Sequence, residues 1–586
     1  MALKHELKQV IESAVAACRA ANSLPIVDTV TGDVHLPFTI ETTADPAQGD
    51  YRTNIAQMLA SHAGHANEAG SIAQSIAARL NETAGTDGLI ATAEATADGA
   101  LNLRLNPSAL GEALRQVLSE GERYGRTSYG TPRKVLVEFV SANPNGPITV
   151  AHGRGGAIGD TLASLFEWTG NTVSREFYVN DAVGSRQMQI FAQSLFARYQ
   201  QLCGHPAEIP EDGYTGEYVI EIAQSIVNTE GDRYAALTPE AATTIFQPLA
   251  LNGMREQQTA ALAAFGIHFD NWFSEQTLHA SGAVEKVLQS LKERGVAFEE
   301  KGALWLRSTQ FGDDKDRVLV RAEGTPTYLA GDLAYHADKL ARGFDLLVDV
   351  WGADHEGYIA RTKAGLAALG YAPDQVQIAL FQPVRLLRNG VEEKIGKRTG
   401  DTVTLDELIG DVGKDAARFF FLLQSSGAAE DFDLDLARRQ DRENPLYRVQ
   451  DAYARCSSAL REATQTGIAS PDAEVISASD ISRLTNQEDT VLMKKLLEFP
   501  DEIQEALDSL APHRIARYVL DLAALWHDWD SRLSWNIGQR SAVEQEIPLF
   551  QARLALIKGV QITLANALSL LGVSPQENGI VKEAET

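Results

Sequence analysis

One stretch of the chain, residues 135–160, combines the features of a phosphate-binding site. Six residues of strand character, V-L-V-E-F-V, lead into a turn-rich loop that contains Asn143. His152 and a glycine-rich entry then lead into a segment that runs to Trp168 and is predicted to be an amphipathic helix. Free N–H groups and the helix dipole favour an anion at a helix N-terminus, and glycine allows a ligand close to the backbone. The stretch therefore indicates a nucleotide-phosphate site, although strand–loop–helix units with glycines are common and most bind nothing.

Polar residues also end two other predicted strands. The apolar strand F-D-L-L-V-D-V-W is followed by Gly352, Asp354 and His355, and V-S-R-E-F-Y-V is followed by Asn180 and Asp181. Doubly wound folds bind their ligands at the carboxyl ends of parallel strands. We therefore expect these strand ends to form one binding edge together with His152.

The surrounding pattern predicts a multidomain α/β protein. Residues 1–122 are typical of a small N-terminal α/β domain, and residues 130–430 of a split Rossmann-like domain with a helical insertion near residues 190–300. Residues 431–586 are almost wholly helical and predict a C-terminal all-α bundle.

Local periodicity gives more detailed expectations inside these domains. Residues 3–20 fit a helix, and A-L-N-L-R-L, residues 100–105, fits a short alternating strand. Residues 318–336, V-L-V-R-A-E-G-T-P-T-Y-L-A-G-D-L-A-Y-H, are interpreted as further strand.

Composition limits the class of protein. The 586 residues are 44% hydrophobic and 22% charged, and no apolar run approaches the length of a membrane span. The formal net charge of −27 argues against a nonspecific nucleic-acid coat, but a structured RNA needs only local basic patches. Cys18, Cys203 and Cys456 lie far apart without metal-ligand spacing, so we expect a cytoplasmic protein without a protein-held metal.

Several segments resemble the arginyl-tRNA synthetase family of class I. S-A-N-P-N-G-P-I-T-V-A-H, residues 141–152, resembles the His-Ile-Gly-His signature, and K-I-G-K-R, residues 394–398, resembles Lys-Met-Ser-Lys-Ser. The same family is matched in order by V-E-F-V-S-A-N-P, Y-V-N-D-A, E-G-T-P-T-Y-L-A-G-D, V-W-G-A-D-H-E-G-Y and G-D-V-G-K-D-A-A-R-F-F-F-L. Each motif alone is weak, but their order over nearly the whole chain makes the resemblance strong.

The resemblance implies an arginine–tRNA ligase that activates arginine with ATP, releases pyrophosphate and transfers arginine to tRNA(Arg). Since the amino-acid carboxylate attacks ATP directly, catalysis is positioning and charge stabilisation. Mg²⁺ would accompany ATP, and a monomer is the family expectation. The implied catalytic residues are Thr149, His152, Lys394 and Lys397, and the implied ATP-binding residues are these four with Gly155, Gly352 and Asp354. Without the other motifs, the two lysines would be interpreted as solvated charges before a turn.

Arginine adds a requirement of its own. A guanidinium group is a planar fork that a carboxylate meets with two parallel hydrogen bonds. Asp332 and Tyr328 match the positions that contact this group in the family, Glu138 and Asn143 match those that hold the amino-acid end, and His355 is assigned to the same site. Glu138 could instead be a structural ion-pair partner, because a buried carboxylate needs a partner in any case.

The C-terminal helices resemble the family's anticodon-binding domain. Arg438, Arg439, Arg442 and Arg448 form a local basic cluster that could contact tRNA, although a solvated helix face is an equal alternative for any one of them. Asn102 matches a position that reads the D-loop of the tRNA, so the N-terminal domain is expected to contact tRNA as well.

The chain also departs from the family pattern. Thr149 replaces the first signature histidine, Ala151 replaces a glycine beside the adenine, and Ile395 and Gly396 replace Met-Ser. Ala100 replaces an aromatic residue, and W-H-D-W-D-S, residues 526–531, replaces Phe-His-x-Phe-Tyr-Asn. Two hypotheses follow: a working ligase with altered signatures, which the retained His152 and lysines favour, or a synthetase-derived paralogue that binds or activates arginine without charging tRNA, which the altered tRNA contacts favour.

Overall fold

The computed structural model describes residues 3–24, 38–43, 45–83, 88–128, 130–181, 186–393, 402–465, 480–533 and 547–576. Its α-helices are α1 Leu3–Ala20, α2 Ile55–His62, α3 Ala69–Thr83, α4 Pro107–Glu120, α5 Val150–Trp168, α6 Arg186–Leu202, α7 Glu217–Glu230, α8 Pro239–Ala264, α9 Glu275–Ala280, α10 Ala283–Glu293, α11 Tyr328–Ala341, α12 Ile359–Ala368, α13 Leu405–Val412, α14 Lys414–Phe421, α15 Leu434–Arg438, α16 Pro445–Gln465, α17 Gln487–Leu497, α18 Phe499–Asp508, α19 His513–Leu533 and α20 Ile547–Leu570. Its strands are β1 Ile40–Thr42, β2 Tyr51–Thr53, β3 Ile90–Ala95, β4 Leu101–Leu105, β5 Lys134–Glu138, β6 Thr172–Val179, β7 Asn271–Ser274, β8 Ala297–Glu300, β9 Ala303–Leu306, β10 Arg317–Val320, β11 Leu346–Gly352, β12 Val376–Phe381, β13 Val384–Arg388, β14 Val391–Glu392 and β15 Glu430–Asp433.

The N-terminal region is an antiparallel sheet with helices packed on it. The strand order is β1-β2-β4-β3, and α3 packs on both β3 and α1. Helix α1 has the predicted bounds, and its buried residues recur every three or four positions, which gives it one apolar face. The strand predicted at residues 100–105 is also confirmed, as β4, which begins one residue later at Leu101.

The central element is a five-stranded parallel sheet in the order β12-β11-β5-β6-β7. The chain passes from β5 outward to β6 and β7, and then returns to the other side of β5 to form β11 and β12. The order therefore reverses between β5 and β11, and a crevice opens at their carboxyl ends, where doubly wound folds bind ligands. The predicted fold class is confirmed.

Helix α5 differs from the amphipathic helix that the sequence predicts, because it is buried on nearly all sides. Its glycines allow this close packing: a Cβ on Gly159 would come within 2.3 Å of the Phe139 ring, and one on Gly155 within 2.8 Å of Phe381. Close packing against Phe381 is thus one reason for glycine at position 155, and the ATP role that the resemblance implies for Gly155 stays a prediction.

Two other expectations need correction. The sequence interpretation places residues 328–336 in a strand, but α11 begins at Tyr328, because Leu329 and Leu333 recur at a helical interval and both are buried. Strands β8 to β10 form a separate antiparallel sheet. The predicted insertion near residues 190–300 is shorter than expected, because β7 is already an edge strand of the parallel sheet, paired with β6.

The C-terminal helices α16 to α20 pack on each other and also on the N-terminal region. Helix α20 contacts α4, where a Cβ on Gly559 would come within 2.8 Å of Leu114. The Tyr124 hydroxyl donates to the Leu496 carbonyl at 2.7 Å. Within the described ranges, no helix has both the length and the apolar character needed to cross a bilayer.

Candidate active site at the carboxyl ends of β5 and β11

The turn after β5 forms the floor of the crevice, and its backbone is unusual. Val140 and Ser141 have φ values of 68° and 41°, a region that is rare for a β-branched residue such as valine. The Ser141 hydroxyl donates to Glu138 at 2.9 Å and accepts from the Tyr178 N–H at 3.1 Å, which holds the turn in place. Such strain persists only where the surroundings enforce it, and it is concentrated at functional sites.

The helical insertion fixes the loop that follows this turn. Gln258 is buried, and its side-chain amide donates to the carbonyls of Asn143 and Gly146 at 3.0 and 2.8 Å. The Asn143 side chain is exposed and accepts from Asn180 at 3.3 Å. The insertion thereby holds Asn143, a predicted arginine-binding residue, at the edge of the crevice.

Thr149 and His152 form the N-terminus of α5. Thr149 is the N-cap: its hydroxyl accepts from the His152 N–H at 3.5 Å, while the Thr149 N–H donates to His152 Nδ1 at 3.2 Å. Burial lowers the pKa of His152 to about 4, so the ring is neutral at neutral pH. Because Nδ1 is an acceptor here, the ring proton lies on Nε2, and His152 can offer a neutral N–H donor to a ligand. Ala151, next to it, is exposed.

The chain that leaves the second signature lies directly beside the first. The Val150 N–H donates to the Val403 carbonyl at 3.2 Å, and the Leu405 N–H donates to the Ile148 carbonyl at 2.8 Å. Lys394 and Lys397 themselves lie outside the described residues. The pairing shows that the chain at residues 403–405 lies against the N-terminus of α5.

The end of β11 forms the opposite edge of the crevice. Asp354 and His355 follow Gly352, both are exposed, and their side chains are 3.3 Å apart. The ring of His355 lies near those of Trp351 and Tyr358. The structure thus brings this predicted group to the same sheet edge as Glu138, since β11 and β5 are neighbouring parallel strands.

Helix α11 supplies Tyr328 and Asp332, one turn apart. Tyr328 is 76% exposed. The pKa of the Asp332 carboxyl is raised to about 6: burial is the largest cause, the charges of Glu138 and Glu275 also raise the pKa, and those of His336 and His355 lower it. Among the described residues, the Asp332 carboxylate has no hydrogen bond or ion pair. It is therefore a desolvated acceptor that can take a cation.

Glu275 is a further candidate site residue, which the sequence interpretation does not identify. It begins α9 directly after β7, so it lies at the carboxyl end of a parallel strand, and its charge affects Asp332. The signal in the sequence is the Glu275 carboxylate directly after the short strand N-W-F-S. The sequence interpretation places both in the helical insertion, so it does not identify Glu275 as a residue at a strand end.

Three carboxylates lie side by side on neighbouring strands below the crevice. Glu138 on β5 is in register with Asp349 on β11 and with Glu176 on β6. Helix α11 neutralises them: Lys339 donates to Glu138 at 2.5 Å and to Asp349 at 2.9 Å, and Arg342 donates to Glu176 with two hydrogen bonds of 2.6 and 2.8 Å. Glu138 thus has the ion-pair partner that the structural alternative requires. Each of its oxygens still has a further lone pair for a ligand.

The predicted basic cluster near residue 440 is largely neutralised. Arg438 pairs with Asp411, and Arg439 pairs with Asp441 and Glu443. These arginines border a cleft of about 400 Å³ between α14, α15 and α16. In the described part of the chain, the Gln450 amide nitrogen and one Asp415 oxygen that line it, and Nε of Arg448, are buried without a hydrogen-bond partner.

Asn102, which matches the family, and the altered positions in both tRNA-reading regions lie mostly inside the protein. Asn102 on β4 is 8% exposed, and its side-chain oxygen Oδ1 has no hydrogen-bond partner among the described residues. Ala100 is buried. Trp526 and Trp529 stack in the bundle core at 5.2 Å between ring centroids, and Trp529 donates to Asp489 at 2.7 Å. The W-H-D-W-D-S departure therefore changes core packing at both tryptophans.

Three family models match the chain. The Arginyl tRNA synthetase N terminal domain matches residues 2–105, and the tRNA synthetases class I (R), catalytic domain, matches residues 113–209 and 241–421. The DALR anticodon binding domain matches residues 449–578.

Curated relatives and solved structures agree with these models. The chain is 42% identical to an arginine–tRNA ligase of Desulfitobacterium hafniense over 541 residues, which are 92% of this chain and 93% of that protein. It is 41% identical to the arginine–tRNA ligase of Desulforudis audaxviator over 575 residues, 98% of each chain. The Thermus thermophilus arginyl-tRNA synthetase structure superposes with a TM-score of 0.75 at 23% identity, over 98% of this chain and 100% of that one, which is a likeness in fold.

Proposed function

The chain belongs to the arginyl-tRNA synthetase family and is an aminoacyl-tRNA ligase, and we propose that it activates arginine in the crevice between β5 and β11. The observation that supports this site most directly is Asp332. Its carboxylate is desolvated, lies at the crevice without a partner among the described residues, and has a raised pKa. A guanidinium cation is the ligand that such a group lacks.

In this proposal, arginine lies along the crevice from Glu138 to Asp332. Asp332 accepts the guanidinium fork, and Tyr328, one turn earlier on α11, covers it. Glu138 and Asn143 hold the amino end, and His355 approaches from the end of β11. Glu275 adds negative charge that favours a cationic side chain over a neutral one.

ATP occupies the neighbouring part of the crevice. The N-terminus of α5, with Thr149 and neutral His152, faces the phosphates, and Gly352 and Asp354 meet the ribose. Lys394 and Lys397 neutralise the departing pyrophosphate. In the described ranges, no three His, Cys, Asp or Glu side chains converge as metal ligands, so we propose that Mg²⁺ enters with the nucleotide and adds charge neutralisation at its phosphates.

We propose that the two regions flanking the catalytic domain, residues 1–122 and 431–586, bind tRNA(Arg). In the N-terminal region, Asn102 is assigned to tRNA contact by its match to the family position, although its side-chain oxygen is buried. In the C-terminal region, the cleft beside Arg438 and Arg439 has a volume of about 400 Å³ and contains polar groups without a hydrogen-bond partner among the described residues, including Gln450, which suits one base. Arg448 lies on α16 next to this cleft. We propose that the enzyme acts as a monomer in the cytoplasm.

Charging of tRNA by the purified protein tests the proposal. Arginine should be attached to tRNA with consumption of ATP, whereas a protein that ends near residue 440 should lose tRNA binding, because the removed helices carry the anticodon-binding match. Arginine binding without any charging would contradict the ligase and favour the synthetase-derived paralogue. The relatives reported above are all named arginine–tRNA ligases, and no observation favours that paralogue.

A further inference from the structure

Four ionisable groups from three elements meet below the arginine pocket. They are Glu138 at the end of β5, Asp349 on β11, and His336 and Lys339 on α11, and we refer to them as the charged strut. Lys339 donates to both carboxylates, and His336 Nε2 lies 2.7 Å from Asp349. Lys339 and Asp349 are completely buried.

The contacts define the charge of His336. Its Nδ1 lies 2.7 Å from the Asp332 carbonyl, and its Nε2 faces the Asp349 carboxylate, so both ring nitrogens face acceptors and both carry a proton. Burial opposes this charge, but Asp349 outweighs burial and raises the pKa of His336. The strut therefore holds two cations and two anions and is neutral, which leaves Asp332 as an uncompensated charge beside it.

The strut joins the two carboxylates that meet opposite ends of arginine. His336 holds the backbone of Asp332 one turn earlier on α11, and Lys339 holds the side chain of Glu138. Since Glu138 ends a strand and Asp332 lies on a helix, local structure alone does not fix the distance between them. His336 and Lys339, which lie on the same helix and contact Asp332 and Glu138, fix this distance.

A structural role alone is a poor explanation for so many buried charges. Replacing a buried ion pair by well-packed apolar residues is often neutral or stabilising, so the pair itself is weak evidence for stability. Glu176 and Arg342 already attach α11 to the sheet with two hydrogen bonds. The strut adds a defined geometry at the two carboxylates above it.

We propose that His336 and Lys339 are positioning residues that set the length of the amino acid the enzyme accepts. By fixing Glu138 relative to Asp332, the strut matches the span from the amino group to the guanidinium group of arginine. Homoarginine, which has the same head groups and one more methylene, then cannot satisfy both carboxylates together. This inference rests on the proposed roles of Glu138 and Asp332, because neither His336 nor Lys339 touches substrate.

The test is amino-acid-dependent ATP–pyrophosphate exchange in the full-length enzyme with tRNA present, using arginine and homoarginine. For Lys339→Met and His336→Leu, the KM for arginine should rise by up to about 10²-fold, the scale of a 1 Å misplacement. The KM for ATP should change far less, and the preference for arginine over homoarginine should shrink. His336→Asn can still donate to the Asp332 carbonyl, so it should keep more of the preference than His336→Leu.

Arg317→Met is the matched control. It removes a cation that donates to Asp313 with two hydrogen bonds of 2.8 Å in the β8–β10 sheet, so it should lower the thermal midpoint without changing the preference. An unchanged preference in folded Lys339→Met, or equal preferences in His336→Leu and His336→Asn, would overturn the inference. If Lys339→Met does not fold, as judged by circular dichroism, the two His336 variants decide. A wild-type enzyme without arginine-dependent exchange would instead overturn the proposed function.

Discussion

The two halves of the crevice are built from different kinds of contact. On the proposed arginine side, Lys339 pairs with the Glu138 carboxylate, and the His336 ring contacts the Asp332 backbone carbonyl. Removing one partner of a buried ion pair typically costs about 3–5 kcal/mol. On the nucleotide side, Thr149 and His152 offer a hydroxyl and a neutral N–H at a helix end. Thr149 stands where the family signature has histidine, and it still caps the helix. At Thr149 the departure from the family pattern thus replaces one hydrogen-bonding side chain by another, and the charged side keeps the expected residues.

Asp332→Asn should produce the largest difference between the effect on arginine binding and the effect on ATP binding. The substitution removes the charge that meets the guanidinium, so arginine binding should weaken by about 2–5 kcal/mol, the range for breaking half of a desolvated charged pair. Isothermal titration calorimetry with arginine and, separately, with ATP measures this effect. ATP affinity should be unchanged, and an equal loss for both ligands would show that the two halves are not separate.

Substituting either lysine of the second signature should have an effect of similar size on catalysis in the nucleotide half of the crevice. Lys394→Ala and Lys397→Ala should each remove about 3 kcal/mol of transition-state stabilisation, as the loss of a preorganised donor typically does. Turnover should fall more than ATP binding, because the charge acts on the departing pyrophosphate. Steady-state exchange kinetics measure both, and full turnover in both variants would show that residues 394–398 are not the second signature.

Lowering the pH should weaken arginine binding by a smaller amount than these substitutions do. With the pKa of Asp332 near 6 in the free protein, a falling pH protonates the carboxylate that arginine needs. Arginine affinity should be constant above about pH 7 and fall by up to tenfold, or ~1.4 kcal/mol, for each unit below pH 6. The slope should be absent in Asp332→Asn. A wild-type affinity that stays flat down to pH 5 would contradict the desolvated state of Asp332.

The smallest effect is expected at Thr149. Thr149→Val loses the N-cap hydroxyl of α5, which should lower the free energy of unfolding by about 1 kcal/mol and reduce turnover. Thr149→Ser should retain both properties, and Thr149→His should be tolerated. Thermal unfolding and exchange rates measure the series. Wild-type turnover in Thr149→Val would show that His152 suffices as the donor.

The sequence was informative where local pattern decides structure. Helix α1 and strand β4 follow the predicted periodicity, and the two strand ends at Glu138 and Gly352 do meet at one edge of the sheet. It was misleading for residues 328–336, where a run after β10 was extended as strand although the leucines already had helical spacing.

Other features depend on long-range pairing that periodicity does not contain. The four-residue strand β7 is recognised only through its neighbour β6, so Glu275 was missed. Lys339 lies 201 residues from Glu138, and nothing local identifies it as the partner of that carboxylate. The α5 glycines indicated a ligand, but residues distant in sequence, such as Phe381, cover Gly155.

The most direct test of the central claim, recognition of arginine by charge at Asp332, is ATP–pyrophosphate exchange with arginine and with citrulline in the presence of tRNA. Citrulline is neutral and nearly the same size, so it would leave the Asp332 carboxylate desolvated and unpaired. Sites built on polar pairing reject such an analogue by about 10⁴- to 10⁵-fold. We expect exchange with arginine and rejection of citrulline on that scale. Equal exchange with the two amino acids would contradict the account of this site.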